Sequence, residues 1–258
     1  MGQKSLKIVG VIPARLGSQR LPRKVLREIN GKLLVEQVYQ GAVACKALEE
    51  LWVATDSEEV FNACKKRGIP VLMTSESHRS GTDRVWEVMG QRPAGIYVNI
   101  QGDEPLVRGE HLDALVKPFS TEKGVGVSTL KTKISRAAAQ SPNVVKVVTD
   151  ASGRALYFSR SLLPFDRDGN STEPLFKHLG FYAYTAEALD AFHRWPPSSL
   201  EQCEKLEQLR FLENGVPIFV AETPYDTIGV DTEDDLQRAS ELLERPEFYG
   251  LRRGSSRR

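Results

Sequence analysis

The sequence predicts an α/β fold: a Rossmann-like, doubly wound, mostly parallel sheet with an antiparallel arm inserted in its second half. Three runs, KIVGVIP (7–13), LWVAT (51–55) and IYVNI (96–100), are short, apolar and rich in β-branched residues. That pattern belongs to strands covered on both faces. Segments with apolar residues at helical spacing separate them, and strand–helix–strand alternation builds parallel sheets through crossover helices.

In chain order, the stripe Leu34, Val38, Ala42, Cys45 and Leu48 predicts a first helix. Val60, Ala63 and Cys64 mark a second, closed by Gly68. Ser80 or Thr82 is placed to cap a third that carries Val85, Val88 and Met89. The second half changes character. Residues 144–160 read as two strands joined by a tight polar turn at Asp150–Gly153. Residues 161–177 form a loop rich in Pro, Gly and Asp, and a loop of that length in a compact domain commonly serves function. HLGFYAYT (178–185) returns as a strand. Residues 198–215 predict one helix, with a capping box of Ser198 and Glu201 and a stop at Gly215. PIFVAET (217–223) is a last strand, and TEDDLQRASELLE (232–244) a capped amphipathic helix. The expected organisation is one domain over 1–248, its arm at roughly 144–200, and a loose basic tail over 249–258.

A chain of 258 residues buries about 70–75% of its unfolded surface and needs no disulfide or metal staple. It holds 35 basic and 34 acidic residues, and four of the arginines fall in the last seven positions, which leaves 31 against 34 for the body. A mildly acidic body argues against a nucleic-acid partner. No apolar stretch approaches the ~18 residues of a membrane span, so no membrane association is expected. MGQKSLK leads directly into the first strand without an export segment. Cys45, Cys64 and Cys203 are odd in number and widely spaced, which fits reduced, buried thiols and a cytoplasmic location.

The loop PARLGSQRLPRK (13–24) gathers Arg15, Arg20, Arg23 and Lys24 around Gly17 and Ser18. Open α/β sheets bind ligands beyond the carboxyl end of such a strand, and backbone amides with several cations suit a polyphosphate. A solvated basic loop has the same composition. The chain contains neither GxxxxGK[ST] nor GxGxxG, which disfavours P-loop and dinucleotide chemistry. GxSxG is absent too, so a serine-hydrolase elbow has no support. In QGDEP (101–105), Asp103 and Glu104 are hard oxygen donors at a strand's carboxyl end, where Mg²⁺ meets a nucleotide's phosphates. Asp231 follows TIGV just before a helix and reads equally as an N-cap or a second metal ligand. Arg160 and Arg167 could hold a carboxylate bidentately. His178 reads as a satisfied strand histidine more readily than as a catalytic base. Glu207 and Gln208 read as solvated side chains or as the polar edge of a pocket for a hydroxyl-rich ligand.

Taken in order, PARLGSQRLPRK, SGTDR (80–84), NIQGDEP (99–105), ALYFSR (155–160), KHLGFYAY (177–184), LEQLR (206–210) and GVDTEDD (229–235) resemble the 3-deoxy-manno-octulosonate (Kdo) cytidylyltransferases, or CMP-Kdo synthetases, from about residue 7 to 245. The resemblance implies a nucleotide-sugar-transferase type of fold and a Mg²⁺-dependent reaction in which CTP and Kdo give CMP-Kdo and pyrophosphate. It also implies a cytoplasmic role in lipopolysaccharide synthesis and a homodimer formed through the arm. By the family pattern, Ala14, Arg15, Ser18, Arg20, Lys24, Ser80 and Gln101 match the nucleotide side, and Asp103 and Asp231 match the metal carboxylates. Gln101, Arg160, Arg167, His178, Tyr182, Glu207 and Gln208 match the sugar pocket. Arg15, Lys24, Asp103 and Asp231 are the implied catalytic set. Three features depart from the pattern: Arg23 replaces the usual glycine of PGK, Asp83 replaces a frequent Glu, and the arm is short. The 8-amino analogue of Kdo, another acidic sugar, or a non-catalytic nucleotide-binding role are the alternative readings.

Overall fold

The computed structural model describes residues 6–17, 20–78 and 80–245; Ser18, the start of MGQKSLK and the basic tail lie outside the described residues. The first half gives β1 (Ile8–Pro13), a small ribbon of β2 (Glu28–Ile29) and β3 (Lys32–Leu33), α1 (Leu34–Ala42), β4 (Glu50–Thr55), α2 (Glu58–Lys66) and β5 (Val71–Met73). Then come α3 (Gly81–Gln91), β6 (Ile96–Asn99), α4 (Gly109–Val116), α5 (Pro118–Thr121), β7 (Val127–Ile134) and α6 (Arg136–Ala139). The remainder is β8 (Lys146–Thr149), β9 (Ala155–Ser159), β10 (Leu175–Thr185), α7 (Ala186–Arg194), α8 (Ser199–Glu204), α9 (Leu209–Glu213), β11 (Ile218–Glu222) and α10 (Glu233–Glu244).

The main sheet runs β11–β7–β10–β6–β1–β4–β5. β1 is parallel to β4 and β6, β4 to β5, and β11 to β7, whereas β10 is antiparallel to both neighbours. One reversed strand therefore sits inside an otherwise parallel sheet. Apolar side chains cover both faces, as the continuous runs require. Val35 and Val38 of α1, Cys64 of α2 and Leu112 and Leu115 of α4 fill one layer. Val85 and Val88 of α3, Leu189 and Phe192 of α7 and Phe211 of α9 fill the other. The β8–β9 hairpin pairs with β10 off the main path, and Asp150 accepts the amides of Ser152 and Arg154 in its turn, as the sequence predicts.

Several expected boundaries move. α1 stops at Ala42 because the chain must turn back to pair β4 with β1; Cys45 stays in the core and Leu48 packs on it, both beyond the helix. β10 begins three residues before the expected strand, at Leu175, and its pairing with β7 shifts between Leu179 and Tyr182. The helix expected over 198–215 is two helices. Half of its capping box forms, Glu201 Oε2 accepting the Ser198 amide at 3.0 Å while Ser198 Oγ makes no cap bond, and Gly215 does close the run with φ +73°. Lys205, however, adopts φ +55° and breaks the run. The carbonyl of Glu204, which would otherwise take an amide of the next turn, accepts Arg160 Nε at 2.8 Å. Cys203 is exposed and not buried, since α8 turns that face outward; Cys45 and Cys64 are buried as expected. Among the described residues, no helix is long and apolar enough to cross a membrane.

Arg210 of α9 grips Glu201 of α8 bidentately, Nε to Oε2 at 2.7 Å and Nη2 to Oε1 at 2.5 Å, with both side chains about nine-tenths buried. Removing one partner leaves the other charge buried and uncompensated. Glu201→Gln is expected to cost about 3 kcal/mol of stability, read from the urea-unfolding midpoint.

Candidate active site

The carboxyl ends of β1 and β6 and the entry to α10 meet at one edge of the sheet. β1 leads to Ala14, which is buried and donates its amide to Ala54 O at 2.8 Å. Past β6, Gly102 passes so close to β1 that a Cβ there would lie 2.5 Å from Pro13 O. Val230 then donates its amide to Asp103 O at 2.8 Å, which sets the two acidic segments side by side. Thr232 and Asp235 form the capping box of α10, so Asp231 is not the N-cap and its carboxylate faces the site. Lys24 Nζ lies 2.6 Å from Asp103 Oδ2 and 2.9 Å from Asp231 Oδ1, and Arg20 Nη2 lies 2.8 Å from Asp231 Oδ2. Two carboxylates far apart in sequence thus converge on one cation position. Burial alone would lower the pKa of Lys24, but the two carboxylates outweigh it and hold the ammonium above its usual value.

These residues line a pocket of about 510 Å³ together with Arg15, Ser80, Gln101 and the buried Arg84. Ser80 caps α3 by accepting the amide of Asp83, while its hydroxyl donates to the Asp83 carboxylate at 3.0 Å. The cap is Ser80 and not Thr82. Cations around a rim with two convergent carboxylates suit a polyphosphate carrying a divalent ion.

A second cavity of about 810 Å³ adjoins it, and Arg20, Gly81, Gln101 and Asp231 line both. Gln101 stands at the junction, donating Nε2 to Gly180 O at 3.1 Å. Arg160, His178, Tyr182, Glu207 and Gln208 all reach this cleft. Arg160 is held by Glu204 O and Pro142 O, which leaves further guanidinium donors toward the cavity. Thr129 Oγ1 donates to Phe181 O at 2.7 Å, so it accepts from His178 Nε2–H at 2.9 Å and leaves Nδ1 as an acceptor. Burial drives the His178 pKa down to about 3, so the ring is neutral. Burial likewise raises the phenols of Tyr182 and Tyr184. Glu207 opens onto the cleft, and its surroundings raise its pKa chiefly by desolvation. Tyr182 Oη, Gln208 Nε2 and Asn99 Oδ1 are buried without a hydrogen-bond partner. Such orphans are costly unless a ligand or water meets them.

Arg167 and Ala14 stand outside both linings, Ala14 buried just past β1. Arg167 lies on the exposed 161–174 loop, outside the cleft lining, because that loop closes on itself around Asp166, which accepts the amides of Gly169 and Ser171. Glu104 lines the second cavity rather than the cation pocket, accepts Thr227 Oγ1 at 2.6 Å, and is pushed by burial to a pKa of about 7. Sequence reasoning missed Asn99, Thr82 and Tyr184 as cleft residues, although Asn99 sits in NIQGDEP and Thr82 in SGTDR.

A sequence profile of the cytidylyltransferase family matches residues 9–220. A 3-deoxy-manno-octulosonate cytidylyltransferase of Koribacter versatilis (strain Ellin345) is 56% identical over 239 residues, covering 93% of this chain and 91% of the relative. One from Acidobacterium capsulatum is 52% identical, covering 93% and 97%. A solved CMP:2-keto-3-deoxy-manno-octonic acid synthetase, complexed with CTP, superposes with a TM-score of 0.88 at 42% identity, covering 92% of this chain and 98% of that one. The chain belongs to the 3-deoxy-manno-octulosonate cytidylyltransferase family. Its fold is the family's nucleotide-sugar-transferase type.

The family's usual glycine next to the loop lysine is Arg23 here, and Arg23 keeps a left-handed conformation, φ +57° and ψ +31°. The backbone path survives the substitution at a conformational cost of roughly 1–2 kcal/mol, partly offset by an exposed ion pair with Glu59. Arg23→Gly is expected to raise stability by up to about 1 kcal/mol in urea unfolding, despite loss of that pair. His178 makes a pH prediction. The unfolded imidazole takes a proton near pH 6.5 and the folded one only near 3, so the unfolded state binds more protons between these values. Stability therefore falls as pH drops below 6.5, by at most about 1.4 kcal/mol per pH unit from this group. His178→Gln should flatten that slope when unfolding midpoints at pH 6.5 and about 5 are compared.

Proposed function

We propose that this chain transfers the cytidylyl group of CTP to the anomeric hydroxyl of Kdo and releases pyrophosphate. The observation that carries the reading is the convergence of Asp103 and Asp231 at a cation-rimmed pocket, which opens into a cleft lined by unpartnered polar groups. The relatives named for this reaction support it.

Mg²⁺ is held by one or two carboxylates plus substrate phosphates, and the two hard oxygen donors that share Lys24 fit that demand. Asp103 and Asp231 would hold it, and when bound it supplies neutralisation of phosphate charge. Arg15 and Lys24 stabilise negative charge that grows on the departing pyrophosphate. Gln101, at the junction, aligns the α-phosphorus with the acceptor oxygen for in-line attack. Arg160 takes the sugar carboxylate with its outward donors. Neutral His178, Tyr182, Gln208 and Glu207 meet the hydroxyls. Positioning and charge stabilisation then supply most of the acceleration.

This reading carries with it a cytoplasmic enzyme of lipopolysaccharide synthesis. It also includes a homodimer through the arm, supported by Leu156 and Phe165, which expose 62% and 80% of their surface there.

The test is pyrophosphate release with CTP, Mg²⁺ and either Kdo or its 8-amino analogue. Faster turnover with Kdo supports the assignment, and preference for the analogue moves the acceptor. Asp103→Asn is expected to lower turnover at least about a hundredfold, ~2.7 kcal/mol. Near-full turnover by that variant would remove Asp103 from its metal role.

A further inference from the structure

The first turn of α3 faces both halves of the site. Its cap Ser80 lines the phosphate-side pocket, Gly81 lines both cavities, and Thr82 lines the cleft. Thr82 is 4% exposed, and its hydroxyl donates to Glu207 Oε2 at 2.9 Å across 125 residues of sequence. Glu207 itself stands in the break between α8 and α9, so its own segment does not hold the side chain in a regular helical frame.

We infer that Thr82 is a positioning residue for the acceptor: its hydroxyl aims the Glu207 carboxylate into the cleft and ties it to the helix whose cap faces the nucleotide. The inference rests on the reading of this cleft as the acceptor subsite. With Thr82 on Oε2, Oε1 keeps both of its lone pairs for a sugar hydroxyl, and the bond restrains the direction in which it points. Without the bond, the carboxylate swings on its own torsions and the acceptor must order it.

The bond also sets how Glu207 titrates. Burial raises its pKa, and the Thr82 hydroxyl is the largest influence opposing that. Arg210 of α9 opposes it too, while Asp83 of α3 and Glu201 of α8 add to it. The phenols of Tyr182 and Tyr184, from β10, face the same carboxylate. The ionised carboxylate is the stronger acceptor for a hydroxyl, so loss of the Thr82 donor moves the acid limb of acceptor use to higher pH.

The experiment compares wild type with Thr82→Val, Thr82→Ala and Thr82→Ser. KM for Kdo, KM for CTP and the pH profile of kcat/KM for Kdo are measured on each. Valine is close to isosteric, alanine is the alternative if valine does not fold, and serine restores the donor. Thr82→Val, or Thr82→Ala in its place, is expected to raise KM for Kdo about tenfold, with KM for CTP changed less than about twofold. Its acid limb should move up by roughly half a pH unit or more, and Thr82→Ser should return both quantities toward wild type. An unchanged KM and limb overturns the inference, as does an equal loss for both substrates with the limb unmoved, or failure of serine to rescue. Wild type separates this from the functional reading: if it does not use Kdo at all, that reading fails first.

Discussion

The site depends on holding two carboxylates against one cation, although they arrive from separate parts of the chain. Like charges repel, and Asp103 and Asp231 stay together because Lys24 lies between them and Arg20 braces the outer oxygen of Asp231. What fixes the distance is apolar. Leu21 lies in the first loop and Ile29 just beyond it, Leu106 follows QGDEP, and Val230 and Leu236 bracket Asp231; all five share one small buried cluster with Leu34 and Leu243. That cluster fastens the three chemical segments to one another independently of their charges. Arg27 Nη2, which donates to both carboxylate oxygens of Glu233 at 2.7 and 2.8 Å, adds an exposed clasp between the same segments.

The reversed strand divides the labour. A wholly parallel sheet would offer one crevice at the carboxyl ends of its strands. Inserting β10 antiparallel between β6 and β7 brings a second set of side chains to the same edge. Tyr182 faces Asn99 directly across the β10–β6 pair, which is why two of the orphaned polar atoms belong to one cross-strand neighbourhood. The hairpin beside β10 serves the same end. Lys146 is fully buried and gives its ammonium to the carbonyls of Ser141, Val144 and Arg160, which fastens the 141–144 loop behind Arg160. Burial lowers the pKa of Lys146, and the carbonyl cradle is what its donors receive in exchange for water.

The central strands and their covering helices were legible because buried strands announce themselves by continuous β-branched runs, and Val9, Val11 and Val98 are indeed wholly buried. Caps were legible for the same local reason: Ser80, Ser198 and Thr232 each meet a partner three residues on. The break at Lys205 was not, because it follows from a contact between Arg160 and a helical carbonyl that no local pattern encodes. Nor was the role of Asp231 decidable from position alone, since an aspartate before a helix is ambiguous until its neighbour is seen to cap. Motif order named Arg15, Lys24, Asp103, His178, Tyr182 and Glu207, which surround two joined cavities, while Arg167 lies outside both linings on a loop that folds around an aspartate beside it. Residues such as Thr82 and Asn99 escaped notice because their significance lies in which atom they face.

The two cavities differ in how they treat charge, and the difference sorts their ligands. Around Lys24, strong cations and carboxylates neutralise one another at a partly open rim, where charge can be exchanged with an incoming phosphate. In the adjoining cleft, desolvation pushes the titratable groups toward their neutral forms: His178 loses its proton, Tyr182 and Tyr184 keep theirs, and Glu207 is drawn upward. Arg160 keeps a fixed charge at that cleft, and its planar donors match a single carboxylate. On the proposed reading, a ligand bearing hydroxyls and a carboxylate meets Arg160 and these neutral groups in the second cavity. Gln101 stands where the two environments meet, since it lines both cavities.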